Sequence, residues 1–365
     1  MRMFVFCTVI AAPVLLCSQI SAADDHDAFI TQFNITSTIA STVPGNGDVN
    51  PYGIAIVPVT AGLLEKDSVL ISNFNNSSNL QGTGTTIVQI TPTGSLKVFA
   101  TIDASGLPGP CPGGVGLTTA LLVLRSGFVV VGSLPTTDGT AATAQSGCLI
   151  ILNSSGQAVA TLSGNGINGP WDMTALDLDH AAVLFVSNLL NGTVDAGGKI
   201  VRKGSILRIV LQTPANGTPT ELARRIIASD FQERTDPAAL VIGPTGLGLS
   251  ADGQLYVADT LRNRIALIRN PLLRTDDANA GETVAIGKGL NGPLGLAIAP
   301  NGDIVTVNAG DGNIVETTPK GKQVSVKAID TSGQGAGTLF GLAVAPSGTG
   351  VYYVDDGNNT LVFLH

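Results

Sequence analysis

The chain is short of charge, of histidine and of aromatic rings, and each shortage closes off a class of function. Charged residues are 13% of its 365 positions, and only 19 are lysine or arginine. So few cations cannot neutralise a run of phosphates, which excludes nucleic acid as a partner. Histidine occurs three times, at His26, His180 and His365. Two lie near the chain ends, and His180 sits beside Asp179 in an expected exposed turn. A histidine-based metal site or a Ser-His-Asp triad has almost no material. Aromatic residues are 4% of the chain, with a single tryptophan, so a place where several gather stands out. Long apolar runs are also missing. The longest, Met3 to Leu16, falls short of the ~20 residues a spanning helix needs.

That run follows Arg2 and precedes the small residues Ser18 to Ala23, the pattern of a secretory signal over residues 1–23. Cys17 follows Leu16, where a lipid-attachment motif wants a small residue, so no lipid anchor is expected. Cleavage removes Arg2 and takes the formal net charge from −8 to −9. The expected mature protein is one domain over residues 24–365. It is exported, secreted or periplasmic, monomeric and without a membrane span. Cys111 and Cys148 remain after cleavage, and export favours their union. The bridge closes a loop of about 38 residues, worth roughly 3–4 kcal/mol in the chain-entropy estimate.

What the chain has is glycine, 45 residues of it, and a repeat. Its plainest unit runs from Pro244 to Ile265. A small-residue strand starts at Pro244-Thr245-Gly246-Leu247, a turn follows at Ala251-Asp252-Gly253, and a second strand ends at Asp259. Weaker copies of the opening stand at Pro51-Tyr52-Gly53, Pro112-Gly113-Gly114, Pro170-Trp171-Asp172, Pro293-Leu294-Gly295 and Leu339-Phe340-Gly341. Each second strand ends on a short polar residue: Asn73, Ser133, Asn188, Asp259, Asn308 or Asp355. Third and fourth strands follow, with β-branched residues between glycine, asparagine and aspartate turns. Four strands repeated six times predict an all-β, six-bladed β-propeller. The last repeat stops at its third strand, Thr360 to Leu364. A spare strand at Phe33 to Ala40 is expected to complete that blade and remove its free edge.

The stretch Val257-Ala258-Asp259-Thr260-Leu261-Arg262-Asn263-Arg264-Ile265 resembles the NHL-repeat propellers, with looser matches at Asn301 to Ile304 and Val354 to Asn359. The resemblance spans roughly residues 45–365. It implies the fold and leaves function open, because the architecture hosts enzymes, sensors and scaffolds. Gluconolactonase-like propellers look similar. That likeness implies metal-binding Asn and Asp just before the inner-strand glycine, with a Glu from the first blade. Here the pre-glycine positions read Tyr52, Gly113, Trp171, Thr245, Leu294 and Phe340, so the metal set is absent. The related amidating and streptogramin lyases need several histidines, which the chain also lacks.

Function is therefore sought where repeats depart from the plainest unit. Asp172 replaces the inner-strand glycine, where a carboxylate could bind a cation or polar ligand or bond nearby backbone N–H groups. Tyr52, Trp171 and Phe340 converge on one level, either as a stacking floor for a ligand or as packing near the axis. Asn188, Asp259, Asn308 and Asp355, with Asp172, are the oxygen ligands available to a divalent cation such as Ca²⁺, although such residues also satisfy turn backbone. No cofactor is otherwise expected. Three long loops, Asn73 to Gly84, Ser133 to Gly147 and Asn188 to Gly204, share one face. The charged segment Ser229 to Asp236 is expected to be a solvated connection there. The leading expectation is a non-catalytic binding or scaffold propeller using that loop-rich face around Tyr52, Trp171, Asp172 and Phe340. Its ligand would be a protein, a glycan or a small molecule. The alternative is a metal-assisted hydrolase or lactonase.

Overall fold

Strands such as Val69–Asn75, Val129–Ser133 and Ile304–Asn308 are buried along their whole length. Such strands need cover on both faces. Stacking blade against blade provides it, because each sheet buries its neighbour's face. The computed structural model describes residues 27–330 and 338–365, so the expected signal segment lies outside the described residues. It forms a six-bladed propeller. The first blade is Val49–Ile56, Val69–Asn75, Thr86–Ile90 and Leu96–Thr101, with every neighbour antiparallel. The other blades repeat this order from the axis outward.

The chain ends close the ring as expected. Thr36–Ser41 pairs with the C-terminal strand Thr360–Leu364, Thr38 opposite Val362. The last blade therefore takes its outermost strand from the N-terminus. The residues just before that strand are pinned to the fifth blade. The backbone N–H groups of Phe29 and Ile30 donate to Oε1 and Oε2 of the buried Glu316 at 2.7 and 2.8 Å.

The inner-strand glycines are dictated by close approach. A Cβ on Gly246 would lie 2.2 Å from the Leu294 carbonyl oxygen and 2.5 Å from the Leu296 nitrogen, and one on Gly295 would lie 2.2 Å from the Phe340 oxygen. These contacts are backbone atoms of the next inner strand and cannot swing away.

Two expectations fail. The inner strand of the second blade is Leu117–Val123, not the stretch beginning at Pro112-Gly113-Gly114. Leu117 faces Ser133 and Leu121 faces Val131, so two extra residues bulge where the first and fourth blades bulge by one at Pro-x-Gly. Gly114 instead turns in the preceding loop with φ +94°. The segment Ser229 to Asp236 is not a solvated connection either. It is the end of a 17-residue strand, Thr220–Asp236, in which Phe231, Glu233 and Thr235 are buried between less buried neighbours. The period-two burial shows a strand whose charges mask its pattern. It turns back through a fifth strand, Leu240–Ile242, with Thr235 opposite Val241.

Cys111 and Cys148 are bonded, 37 residues apart in sequence. The bridge ties the loop before the second blade's inner strand to the start of its third strand. Thiol titration of unreduced protein is expected to find neither sulfur reactive. Replacing both by serine is expected to cost about 3–4 kcal/mol by the loop-closure estimate. A urea midpoint unchanged by the double replacement would refute that value.

Candidate functional site

The rings near the axis gather into one cluster. Tyr52 stacks on Phe340 with centroids 3.8 Å apart and on Phe74 at 4.5 Å, and it meets Trp171 edge-on at 5.8 Å. All four are buried. Leu134, Ala144 and Leu190 from the long loops pack on the same cluster, as do Leu240 and Val241. Thus the loop-rich face covers the rings rather than displaying them. In the second blade Thr118 and Thr119 stand at this level instead of Gly113, and their hydroxyls donate to the carbonyls of Pro170 and Trp171.

On the other side of the rings the axis is hollow. A cavity of about 380 Å³ is lined by Trp171, Asp172, Thr245, Leu294 and Phe340 at one end, and by Ile56, Val123, Leu249, Ile298 and Val344 at the other. The second group are late residues of their inner strands. The cavity therefore begins at the rings and runs toward the face opposite the long loops. Its side chains are mostly aliphatic, joined by Trp171, Met173, Phe340, three threonines and one ionisable group, Asp172, and the inner-strand backbone adds polar surface.

Asp172 holds its place by its backbone and its carboxylate together. Its N–H donates to Ser187 Oγ at 3.0 Å, and its Oδ2 accepts from the Leu247 N–H of the next blade at 3.0 Å. The side chain thus spans a gap that is closed in four other blades by Gly53, Gly246, Gly295 and Gly341. Burial raises its pKa to about 7, against the lowering effect of the Met173 and Leu247 N–H groups.

The remaining cation candidates are not brought together with Asp172. Asn188 Oδ1 accepts from Asn168 N, and its Nδ2 donates to Asn191. Asp259 is bonded to Arg264, Asn308 to Gly289 and Asp311, and Asp355 to Asn358. Each is engaged through at least one atom within its own turn or the strand beside it, while the Oδ1 atoms of Asp259 and Asn308 are buried without a partner. Among the described residues no group of three or more His, Cys, Asp or Glu is placed to hold a metal ion. At the pre-glycine level the threonine hydroxyls are already bonded to protein atoms, which leaves the Tyr52 hydroxyl as the other side-chain oxygen there. Among the described residues, the axial cavity therefore does not assemble the metal set that the lactonase-like resemblance implies.

Two further acids, the fully buried Glu233 and the half-buried Asp356, escaped sequence reading. Glu233 lies in the charged strand read as solvated, and Asp356 follows Asp355, which alone completes the strand-end pattern. Burial raises both to about 7. A carboxyl at ~4 when unfolded and about 7 when folded binds more protons in the folded state between those values. Its stabilising effect is full below ~4 and lost as pH rises through 7. The melting temperature is accordingly expected to fall from pH 5 to pH 8. Asp172→Asn is expected to flatten part of that fall in calorimetric scans. A curve rising over this range would contradict the burial of all three.

No protein-family model matches the chain, and no curated protein matches it. Solved structures do match in shape. A gluconolactonase from Xanthomonas campestris is 14% identical with a TM-score of 0.55, covering 90% of this chain and 88% of its own. A calcium-binding protein, regucalcin, from Agrobacterium tumefaciens is 15% identical with a TM-score of 0.52, covering 89% and 92%. A PQQ-bound aldose sugar dehydrogenase from Streptomyces coelicolor is 15% identical with a TM-score of 0.51, covering 90% and 97%. At these identities the likeness shows the six-bladed fold alone.

Proposed function

We propose that this propeller is exported and monomeric, and that it takes a small, largely apolar molecule into its axial cavity, with Asp172 as the acid–base group. The observation that carries this reading is one carboxyl, titrating near 7, at the closed end of an aliphatic cavity. Protonated, it donates a hydrogen bond to the ligand. Ionised, it serves as a general base. Docking a protein through Tyr52, Trp171 and Phe340 finds less support, since those rings are buried under the long loops.

The reaction class this geometry suits is hydrolysis of an ester or lactone. Asp172 takes a proton from water as the water oxygen bonds to the carbonyl carbon. The carbonyl–alkoxide bond then breaks, and the proton passes to the departing oxygen, which regenerates the carboxylate. The gluconolactonase among the solved neighbours adds weight through fold alone. The disulfide favours an oxidising compartment, and no helix among the described residues is long and apolar enough to cross a membrane.

A panel of aliphatic lactones and p-nitrophenyl esters tests the proposal. Turnover is expected to rise with pH through about 7, and Asp172→Asn is expected to lower it at least ~100-fold, the usual contribution of a general base. Turnover that Asp172→Asn leaves intact would remove the hydrolase. A second reading, non-catalytic binding in the same cavity, is favoured by the lack of any other ionisable group in its lining. Binding of an apolar lactone or ester without turnover selects it. Neither binding nor turnover rejects both.

A further inference from the structure

A second cleft, of about 520 Å³, lies on the loop-rich face where the first and last blades meet. Its chemistry is opposite to that of the axial cavity. Asn50, Asn75, Asn79 and Asn359 line it with Asp356, and the lining contains no lysine, arginine or histidine.

The polar atoms here are left wanting donors. Asn75 is 2% exposed, its Nδ2 donates to Oδ1 of Asn79 at 2.7 Å, and its Oδ1 has no partner. Asn50 Oδ1 is likewise buried and unpartnered, and its side chain lies against the Tyr52 hydroxyl, whose pKa burial and then the charge of Asp356 raise. Buried acceptors are rarely left empty in a folded protein. Asp356 forms no ion pair among the described residues, and burial together with neighbouring Asp355 pushes its carboxyl up. The undescribed segment 331–337 contains no charged residue, so it brings no cation to this site.

We propose that this cleft binds a small polar ligand carrying a positively charged ammonium nitrogen, with Asp356 as its counter-ion and the side-chain oxygens of Asn50 and Asn75 accepting its N–H donors. An ammonium has three donors and no acceptor, which matches what these residues lack. Its charge compensates a carboxylate that accepts the Gly357 N–H but has no counter-charge among the described residues. A bare divalent ion fits less well, since one carboxylate and scattered amides give it few charged ligands. A neutral polyol would leave Asp356 uncompensated.

Glucosamine, glucose and Ca²⁺, each titrated into the folded protein and followed by calorimetry and by the side-chain amide NMR signals of Asn75 and Asn79, test this. Glucosamine is expected to bind and to move those signals, and glucose to bind at least tenfold more weakly. Asp356→Asn is expected to weaken glucosamine at least tenfold, while Asp172→Asn in the other cavity leaves it unchanged. Equal binding of glucose, preference for Ca²⁺, or no shift of the amide signals by glucosamine would each overturn the proposal. The wild-type comparison of glucosamine with glucose decides it even if the Asp356 variant does not fold.

Discussion

Replacing Asp259 by alanine is expected to cost about 3–5 kcal/mol, because it strands a charge in the core. Arg264 is 2% exposed and Asp259 fully buried, and Nε donates to Oδ2 at 2.6 Å. The guanidinium also donates to Thr283 Oγ1 at 2.8 Å and to the Ala280 carbonyl, and it lies over the Phe231 ring. Those neutral partners hold the group in place without balancing its charge. Burial pushes the Asp259 carboxyl up while Arg264 pulls it down. Asp259→Ala combined with Arg264→Met is expected to regain most of the loss, since an apolar pair of similar volume leaves no charge behind. Urea unfolding of the single and double variants measures both effects. A loss below ~1 kcal/mol for Asp259→Ala would mean that water reaches Arg264 and that the pair is not buried. The residue that serves the repeat as a strand end is thus spoken for by an arginine five positions on, which is why it does not serve a cation.

The same stretch shows how far the fold was legible. Pro244 to Ile265 carries the close approach, the turn and the strand end in order, because each has a local steric cause. The closing strand was legible for a similar reason, as an edge at Thr360 to Leu364 needs a partner. Blade two was misread because Pro112-Gly113-Gly114 imitates the motif while the true strand, Leu117–Val123, carries no glycine and a wider bulge. The disulfide was nevertheless found, since it needs only that Cys111 and Cys148 approach the same face. Ser229 to Asp236 was misread because its charges hid a buried alternation. Asp172 stood out as the one break in the glycine column, and it does face the axial cavity. That the rings close this cavity toward the long loops could not be seen in sequence. It depends on Leu240 and Val241 arriving from a strand pair that crosses between blades. Asp356 lay inside the loose match at Val354 to Asn359 without standing out, because its surroundings are assembled from segments far apart in the chain.

Phe340→Ala is expected to cost about 3–5 kcal/mol, the range for deleting a buried ring. Phe340 stacks on Tyr52 and, from its other side, borders the axial cavity. The rings around it are fixed by β-sheet backbone and cannot collapse far into the space, so the variant should keep much of the void. A void lined by Tyr52, Trp171 and Leu294 would be mostly apolar, and such voids stay dry and accept small apolar molecules. Benzene is therefore expected to raise the melting temperature of the variant by more than it raises that of the wild type, whose axial cavity already offers some apolar space, by the linkage between binding and unfolding. A small loss without a benzene effect would mean that neighbouring side chains refill the site, and the barrier between cavity and loop-rich face would then not depend on Phe340. A large loss with a benzene effect would identify Phe340 as the wall that closes the cavity. It would follow that the molecule bound there enters only from the face opposite the long loops.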